Sequence, residues 1–409
     1  MNLDNEYVRR QFPALAGDWT FFDNAGGSQT LTQVVQRIQE YLLTSDVQLG
    51  ASYAVSRLAG ERVASATEAM ANWVNARHPS EIIMGSSTSM LLRILSICFG
   101  QTLEEGDEII VTNLDHEANI GPWVDLAKTG ITLKTWEVNP NSWELEVRDL
   151  DVLLTDRTRL VALTHASNIV GHIHPIRQIA DIVHRRGAMV CVDGVAYAPH
   201  RRIDVQAFDV DFYAFSFYKV YGPHYALLYA KRDVLDQLPG INHFFLKDEV
   251  PYRFQPGSVN YELSYGMTGL WDYVSGLCAA HGRTDLMGDR PSQLDFVFDL
   301  ISRHEEALVT PLLEFLTSKK NVRLIGRAEP DRLHRVPTVS FIVDDMPSDS
   351  ITLEVDKHHI AIRYGDFYAR RLIDSLGLGP QNGVVRASLV HYNRLEEVEQ
   401  LISVLDHLI

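Results

Sequence analysis

The most constraining feature of this sequence is the regular alternation of helical and strand signals between about Leu31 and Ala230. Apolar residues from Leu31 to Leu42 recur at helical spacing, and the segment 175–187 begins with proline and ends with glycine, as helices often do. Short apolar runs lie between the helical segments. The predicted strands are 81–84, 108–112, 131–138, 159–166, 188–193, 212–216 and 225–230. This alternation is typical of an α/β fold in which helices cover a mostly parallel sheet.

The pattern changes after about residue 285. A long helical stretch at 293–316 is followed by strand signals near 322–326, 337–344, 360–364 and 384–390. A final amphipathic helix then carries one apolar face, formed by Leu395, Val398, Leu401, Ile402 and Leu405. We therefore predict a large domain at 21–285, a smaller α+β domain at 286–409, and an N-terminal segment at 1–20 that packs on the small domain.

Composition limits the possible function. The chain has 409 residues, of which 46% are hydrophobic and 22% charged, as in an ordinary globular enzyme. Its net charge of −16 argues against nonspecific binding to nucleic acid or to an anionic membrane. No apolar run approaches the roughly 18 residues that a membrane helix needs, and the polar N-terminus does not resemble a secretory signal. Three cysteines in apolar contexts indicate reduced core residues and a cytoplasmic location: Cys98, Cys191 and Cys278.

Lys219 is the first candidate for chemistry. It follows the apolar strand 212–216, and Gly222 and Pro223 separate it from the next strand. A lysine between two buried strands is costly to desolvate unless it is paired or covalently bound. Asp193 ends another apolar strand, 26 residues upstream. A lysine that forms an imine and a carboxylate that keeps a ring nitrogen protonated suit a pyridoxal phosphate site; the alternative is an ordinary surface lysine.

Three further turns carry polar side chains. The segment 85–95 runs from a Gly/Ser/Thr-rich turn into a helix, which favours either a phosphate site or ordinary capping by Ser87 and Thr88. His116 follows a strand and could stack on a cofactor ring and shuttle a proton in catalysis, or simply be solvated. Asn168 follows another strand and could donate to a phenolate oxygen or serve the local turn.

His172 and His174 lie close together in the sequence, near Asn168. They lack an acidic partner at ligand spacing, so we interpret them as loop histidines and predict no metal site.

In their order along the chain, these segments resemble the class V aminotransferase family of fold-type-I pyridoxal-phosphate enzymes, which contains the cysteine desulfurases. The resemblance covers nearly the whole chain. It rests on the segments FFDNAGGSQ, GSSTS, LDHEANIGPW, THASNIVGHIHPI, VCVDGVAYAPH, FSFYKVYGP, FQPGSVNYE and VVRASLVHYN. The pairing of APH with S-x-Y-K-x-Y-G-P-H is most similar to the cysteine-desulfurase-like branch.

The resemblance implies a role for each matching residue. Lys219 would be the Schiff-base lysine, Asp193 the partner of the ring nitrogen, His116 the ring-stacking residue and Asn168 the donor to the ring hydroxyl. The implied phosphate ligands are Ser87, Thr88, Ser216, Tyr218 and, from a neighbouring subunit, Ser258. The implied substrate ligands are Arg386, which would bind the α-carboxylate, together with Asn24 and Arg363.

The sequence departs from the desulfurases at three places. Tyr218 replaces a histidine, and Ala196 replaces a glutamine that contacts the ring. The loop 361–374 aligns with the segment that bears the persulfide-forming cysteine, but it contains Asp366, Phe367 and Tyr368 and no cysteine.

These observations predict a pyridoxal-phosphate enzyme that acts on an α-amino acid, and the resemblance implies a homodimer with a shared active site. We expect β-elimination, or β- or γ-replacement, at a sulfur-bearing or other leaving group without a persulfide cysteine. Transamination and epimerisation are the alternatives. A rival from another class is a catalytically inactive interaction protein on the same scaffold. A nicotinamide dehydrogenase would need a G-x-G-x-x-G turn, which the sequence lacks after its first strand.

Overall fold

The computed structural model describes residues 2–246 and 248–409. The strands of this part of the chain are β1 Thr20–Phe21, β2 Ile82–Gly85, β3 Glu108–Thr112, β4 Thr132–Trp136, β5 Thr158–Thr164, β6 Met189–Asp193, β7 Phe212–Ser216, β8 Ala226–Ala230, β9 Val322–Leu324, β10 Thr338–Val343, β11 Ile360–Ala361, β12 Arg363–Gly365 and β13 Val384–Ser388. Its helices are α1 Asn5–Arg9, α2 Thr32–Thr44, α3 Ala54–Val74, α4 Thr88–Gly100, α5 Gly121–Val124, α6 Val147–Leu153, α7 Ile176–His184, α8 Val205–Phe208, α9 Arg232–Gln237, α10 Tyr261–Gly266, α11 Gly269–Ala280, α12 Arg290–Ser318, α13 Ser348–Asp356, α14 Arg370–Ser375 and α15 Leu395–Leu408.

Seven of the described strands form the central sheet, in the order β2-β8-β7-β6-β5-β3-β4. The pairs from β7 to β4 are parallel, whereas β8 runs antiparallel to both β2 and β7. The inner strands β6, β7 and β8 are almost wholly buried, as expected for a sheet covered by helices on both faces. The prediction of a mostly parallel α/β sheet is therefore confirmed.

The register of this sheet brings several strand ends together. Thr164 of β5 is level with Asp193 of β6, and Asp193 is level with Ala214 of β7. Because β5, β6 and β7 are parallel, their carboxyl ends meet at one edge of the sheet, where ligands of open α/β sheets bind.

A second sheet lies in the C-terminal part of the chain, with the antiparallel order β12-β13-β10-β9. One face of it packs against α12 and α15 in a buried apolar cluster that includes Leu312, Phe341, Val385 and Leu401. This sheet and its helices confirm the predicted smaller α+β unit.

The N-terminal segment connects the two sheets. β1 pairs with β11 in parallel, and Arg9 forms a 2.7 Å ion pair with Glu397 of α15. Val8 and Phe12 belong instead to the apolar core of the large sheet. The segment thus packs on both units, and the boundaries at residues 20 and 285 stay a prediction.

Two further expectations concern the state of the cysteines and the presence of membrane-spanning helices. Cys98, Cys191 and Cys278 are buried and unpaired, as predicted. Among residues 2–246 and 248–409, no helix combines the length and the apolar character needed to cross a membrane.

Candidate active site

Lys219 lies in the short connection between β7 and β8, at the end of a single 3₁₀ turn, Phe217–Lys219. Its side chain is only 6% exposed. It lines a cavity at the carboxyl ends of the parallel strands. Eight of the predicted residues meet in this cavity: Ser87, Thr88, His116, Asn168, Asp193, Ser216, Tyr218 and Lys219.

The surroundings of Lys219 favour its neutral amine. Burial, and then the nearby charge of Arg386, lower its pKa to about 8, although Asp193 and Asp23 act in the opposite direction. A lysine with such a pKa holds a substantial nucleophilic fraction near neutral pH, which a free lysine does not.

Asp193 stands at the end of β6 and is 4% exposed. Its Oδ1 accepts a 2.8 Å hydrogen bond from the backbone N–H of Val195. Burial raises its pKa, while Val195 and Lys219 lower it. A cationic ring N–H beside this carboxylate would offset the cost of its burial.

Asp115 is a second buried carboxyl group close to Asp193, and sequence reasoning missed it. Its side chain accepts hydrogen bonds from the Thr112 hydroxyl and, at 2.7 Å, from the Asn119 amide. Burial raises its pKa to about 7, and the charge of Asp193 adds to this shift. These contacts fix the loop that carries His116.

The part of the cavity formed by the start of α4 is suited to an anion. Ser87 caps α4, where its hydroxyl accepts from the N–H of Met90 at 3.2 Å. Thr88, the first residue of α4, shares a 2.7 Å hydrogen bond with the Ser216 hydroxyl. The helix start adds free N–H groups and the positive end of the helix dipole, so a phosphate group would be stabilised here.

His116 and Asn168 approach from neighbouring loops. The Nδ1 of His116 accepts a 3.0 Å hydrogen bond from the N–H of Ala118, so the neutral ring carries its proton on Nε2. Burial, Lys219 and Arg386 lower the pKa of His116 to about 4. The side chain of Asn168 donates a 3.0 Å hydrogen bond to the carbonyl of Phe367.

Arg386 lies on β13, is 1% exposed and does not line the cavity wall itself. One of its Nη atoms donates to Asp23 at 3.1 Å and the other to the carbonyl of Asn168 at 3.1 Å, while Nε is buried without a partner. Burial lowers the pKa of Arg386 to about 10, although Asp23 opposes the shift. The guanidinium therefore retains capacity for another acceptor.

Arg363 and Asn24 are the other two predicted substrate ligands. Arg363 is exposed on β12, opposite Arg386 in the sheet register, and its guanidinium lies 3.6 Å from Asp23. The Asn24 amide is buried and donates to the carbonyls of Phe21 and Ser388, while its oxygen accepts from the Tyr392 hydroxyl. Because these structural partners already occupy its side chain, the position of Asn24 does not support the predicted substrate contact.

Ser258 is exposed and lies outside the central cavity, in a neighbouring groove that also contains Met90 and Ile97. The loop histidines His172 and His174 are buried, because the segment that carries them packs against the chain near Arg335. Within the described residues, no group of three His, Cys, Asp or Glu side chains is placed to hold a metal ion.

Sequence reasoning also missed Asp23 and Phe367. Asp23 ion-pairs with Arg386, and the ring of Phe367 covers the same guanidinium with 3.7 Å between its centroid and Cζ. Only weak features of the sequence pointed to these two residues. Asp23 directly precedes Asn24, and Phe367 lies in the loop that lacks a cysteine.

The cavity fits pyridoxal phosphate through its set of side chains. Lys219 offers a partly neutral amine, Asp193 a buried carboxylate, and Ser87, Thr88 and Ser216 offer hydroxyls at a helix start. These groups would hold an aldehyde, a ring nitrogen and a phosphate respectively.

Comparisons with known proteins agree with this geometry. The model of the family described as "Aminotransferase class-V" matches residues 20–283 and 293–401. The "Aminotransferase-like protein FGM3" of Gibberella zeae is 44% identical over 411 residues, which cover 98% of this chain and 97% of that protein. The "Cysteine desulfurase-like protein ustD" of Aspergillus flavus is 36% identical over 423 residues, covering 100% of this chain and 91% of that protein.

Among solved structures, the apo cysteine desulfurase of Thermococcus onnurineus superposes with a TM-score of 0.86 at 26% identity, covering 100% of this chain and 98% of that one. The predicted fold-type-I architecture and the predicted cofactor are thereby confirmed. The chain belongs to the class V aminotransferase family of pyridoxal-phosphate-dependent enzymes.

Proposed function

We propose that this enzyme catalyses β-elimination, or β- or γ-replacement, on an α-amino acid without a persulfide intermediate on the protein. The observation that carries this proposal is the composition of the loop between β12 and α14, which holds Asp366, Phe367 and Tyr368 and places the ring of Phe367 over the guanidinium of Arg386. A persulfide-forming enzyme needs a reactive thiolate at such a place.

The cysteines of this chain lie in unsuitable surroundings for that role. Burial raises the pKa of Cys98 to about 11 and the pKa of Cys191 well above its ordinary value. Burial also raises the pKa of Cys278, which lies in α11. Three buried free thiols also support the proposed cytoplasmic location.

Bound pyridoxal phosphate supplies an electron sink for the electrons released at the substrate Cα. Lys219 would hold the cofactor aldehyde, and its amine, when free of that aldehyde, is the best candidate to remove the Cα proton. Asp193 would hold the cationic ring nitrogen, His116 would cover the ring, and Ser87, Thr88 and Ser216 would bind the phosphate. Arg386 binds the α-carboxylate through its planar pair of N–H donors.

Transamination and epimerisation are the alternatives, since one relative is named an aminotransferase-like protein. A catalytically inactive scaffold is disfavoured because Lys219, Asp193, His116 and the phosphate-binding hydroxyls converge on one cavity.

We also propose a homodimer in which Ser258 of each chain reaches the phosphate of the other. Its support is the exposed groove around Ser258 and the exposure of large apolar side chains such as Leu43, Phe244 and Tyr252. Light scattering coupled to size exclusion should give twice the 46.2 kDa of the chain. A monomer that turns over substrate at full rate would contradict the shared site.

The reaction is tested by incubating the purified enzyme with a panel of amino acids and following cofactor absorbance and released products by mass spectrometry. For a cysteine-type substrate, β-elimination should release a free thiol or sulfide together with pyruvate and ammonia, whereas replacement should release the thiol or sulfide and give a new amino acid. A variant with Cys98, Cys191 and Cys278 replaced by Ala should retain turnover. A folded, cofactor-loaded triple variant without activity, or a persulfide trapped on the parent, would contradict the proposal.

A further inference from the structure

Phe367 contacts two groups that the proposed function assigns to ligands. Its ring lies over the guanidinium of Arg386, with 3.7 Å between the ring centroid and Cζ. Its carbonyl oxygen accepts the 3.0 Å hydrogen bond from the side chain of Asn168. One residue thus covers the proposed carboxylate ligand and occupies the proposed donor to the cofactor hydroxyl.

The backbone that places Phe367 there is strained. Phe367 has a φ of 51° and Tyr368 a φ of 60°, so two successive aromatic residues adopt the left-handed conformation. Bulky side chains rarely adopt this conformation, and such strain persists only where other contacts hold it. Residues 366–369, which we name the closing turn, therefore store energy that opening would release.

Specific contacts hold the closing turn in place. The carbonyl of Tyr368 accepts from the N–H of Glu117 at 2.7 Å, and the carboxylate of Asp366 accepts from the N–H of Tyr368 at 2.9 Å. Arg371, just beyond the turn, donates two 3.0 Å hydrogen bonds to Glu117. Because Glu117 follows His116, the closing turn is joined directly to the cavity wall.

A carboxylate would compete well with the ring of Phe367. An aromatic face stabilises a desolvated guanidinium, but it neither neutralises the charge nor accepts N–H hydrogen bonds in the guanidinium plane. A carboxylate does both, and the Nε of Arg386 is buried without a partner. Asp23 supplies a single hydrogen bond to this guanidinium.

We propose that Phe367 is a specificity-determining residue that keeps Arg386 covered until an α-carboxylate displaces its ring and opens the closing turn. This inference rests on the proposed function of Arg386. Amines that lack the carboxylate would leave the turn closed, because a ligand shifts such an equilibrium only through its different affinities for the two states.

The test uses the cofactor-loaded enzyme and propionate, a carboxylate that lacks the amino group and cannot react. Phe367→Ala should bind propionate roughly tenfold more tightly than the parent, measured by calorimetry, because the competing ring is gone. Tyr364→Ala, at an exposed aromatic residue of the preceding strand β12, is the matched control and should bind like the parent. Equal or weaker binding by Phe367→Ala would overturn the inference.

Two further measurements keep the inference separate from the proposed function and from folding defects. If Arg386→Gln leaves propionate binding unchanged, the carboxylate site lies elsewhere and both proposals fail. If Arg386→Gln abolishes binding while Phe367→Ala has no effect, only the role of Phe367 fails. In the unmodified enzyme, saturating propionate should speed hydrogen exchange at the amides of Glu117, Tyr368 and Ala369, and unchanged exchange would overturn the inference.

Discussion

The side chain of Lys219 lies among charges of both signs, the cation of Arg386 and the carboxylates of Asp193 and Asp23. Burial and Arg386 prevail, so its folded pKa is about 8, below the 10.5 of a free lysine. The amine must be neutral to attack an aldehyde. The rate of pyridoxal phosphate uptake by the cofactor-free protein should therefore rise with pH and level off above about 8, as followed by absorbance. A rise that continues towards pH 10.5 would contradict this environment.

The covalent attachment itself is a separate prediction. Borohydride should fix the cofactor to the peptide that contains Lys219, as identified by mass spectrometry. Lys219→Ala should abolish turnover, while the phosphate contacts at Ser87, Thr88 and Ser216 retain some cofactor. A labelled peptide elsewhere would show that the cavity has been misassigned.

Asp193 is predicted to act through the ring nitrogen rather than through cofactor retention. Asp193→Asn keeps the size of the side chain but removes its negative charge. We expect the rate of substrate Cα–H exchange, measured by NMR in deuterated water, to fall on the order of 10²-fold. Cofactor affinity should fall much less, and equal losses in both would indicate a structural role only.

At the scale of the secondary-structure elements, the loop from Thr112 to Asn119 contains a buried carboxyl group with a raised pKa. Asp115 binds more protons in the folded than in the unfolded chain between about pH 4 and its folded pKa of about 7. Its contribution to stability therefore declines as pH rises through that window. The melting temperature of Asp115→Asn should decline less than that of the parent between about pH 5 and pH 7.5. Asp149→Asn, on the exposed side of α6, is the control, and its melting temperature should change with pH as the parent's does.

The strand boundaries show how closely sequence patterns predict secondary structure. The strands at 108–112 and 212–216 were predicted to the residue, because charged or small residues bound their apolar runs. Strand β2 was predicted at 81–84, one residue too early. The carboxylate of Glu81 accepts hydrogen bonds from the backbone N–H groups of Arg77 and His78, so Glu81 belongs to the preceding turn.

The candidate site was predictable only in part. Its residues at strand ends and helix starts carry local signals. The pairing of Asp23 with Arg386 joins residues 363 positions apart and has no periodic signature. The contact of Phe367 with Arg386 depends on backbone strain, which propensities do not report.

On the scale of the whole molecule, the apolar cluster beneath the four-stranded sheet should set the stability of the C-terminal part. Leu401 of α15 is fully buried there, whereas Leu395 on the same helix is 45% exposed. Leu401→Ala should lower the free energy of unfolding by about 2–5 kcal/mol, while Leu395→Ala should change it by less than about 1 kcal/mol. Chemical denaturation followed by circular dichroism checks this, and equal effects would contradict the assigned packing.

The pairing of β2 with β8 has a consequence for synthesis of the chain on the ribosome. β2 borders only β8 in the large sheet, and β8 lies about 140 residues later in the chain. At ordinary elongation rates the ribosome needs roughly 7 to 30 s to make that interval. During that time the apolar residues Ile82, Ile83 and Met84 have no strand to pair with. The nascent chain thus exposes an aggregation-prone apolar segment until the β7–β8 hairpin, which contains Lys219, emerges. Pairing of β2 in the sheet and arrival of the Schiff-base lysine therefore coincide in time.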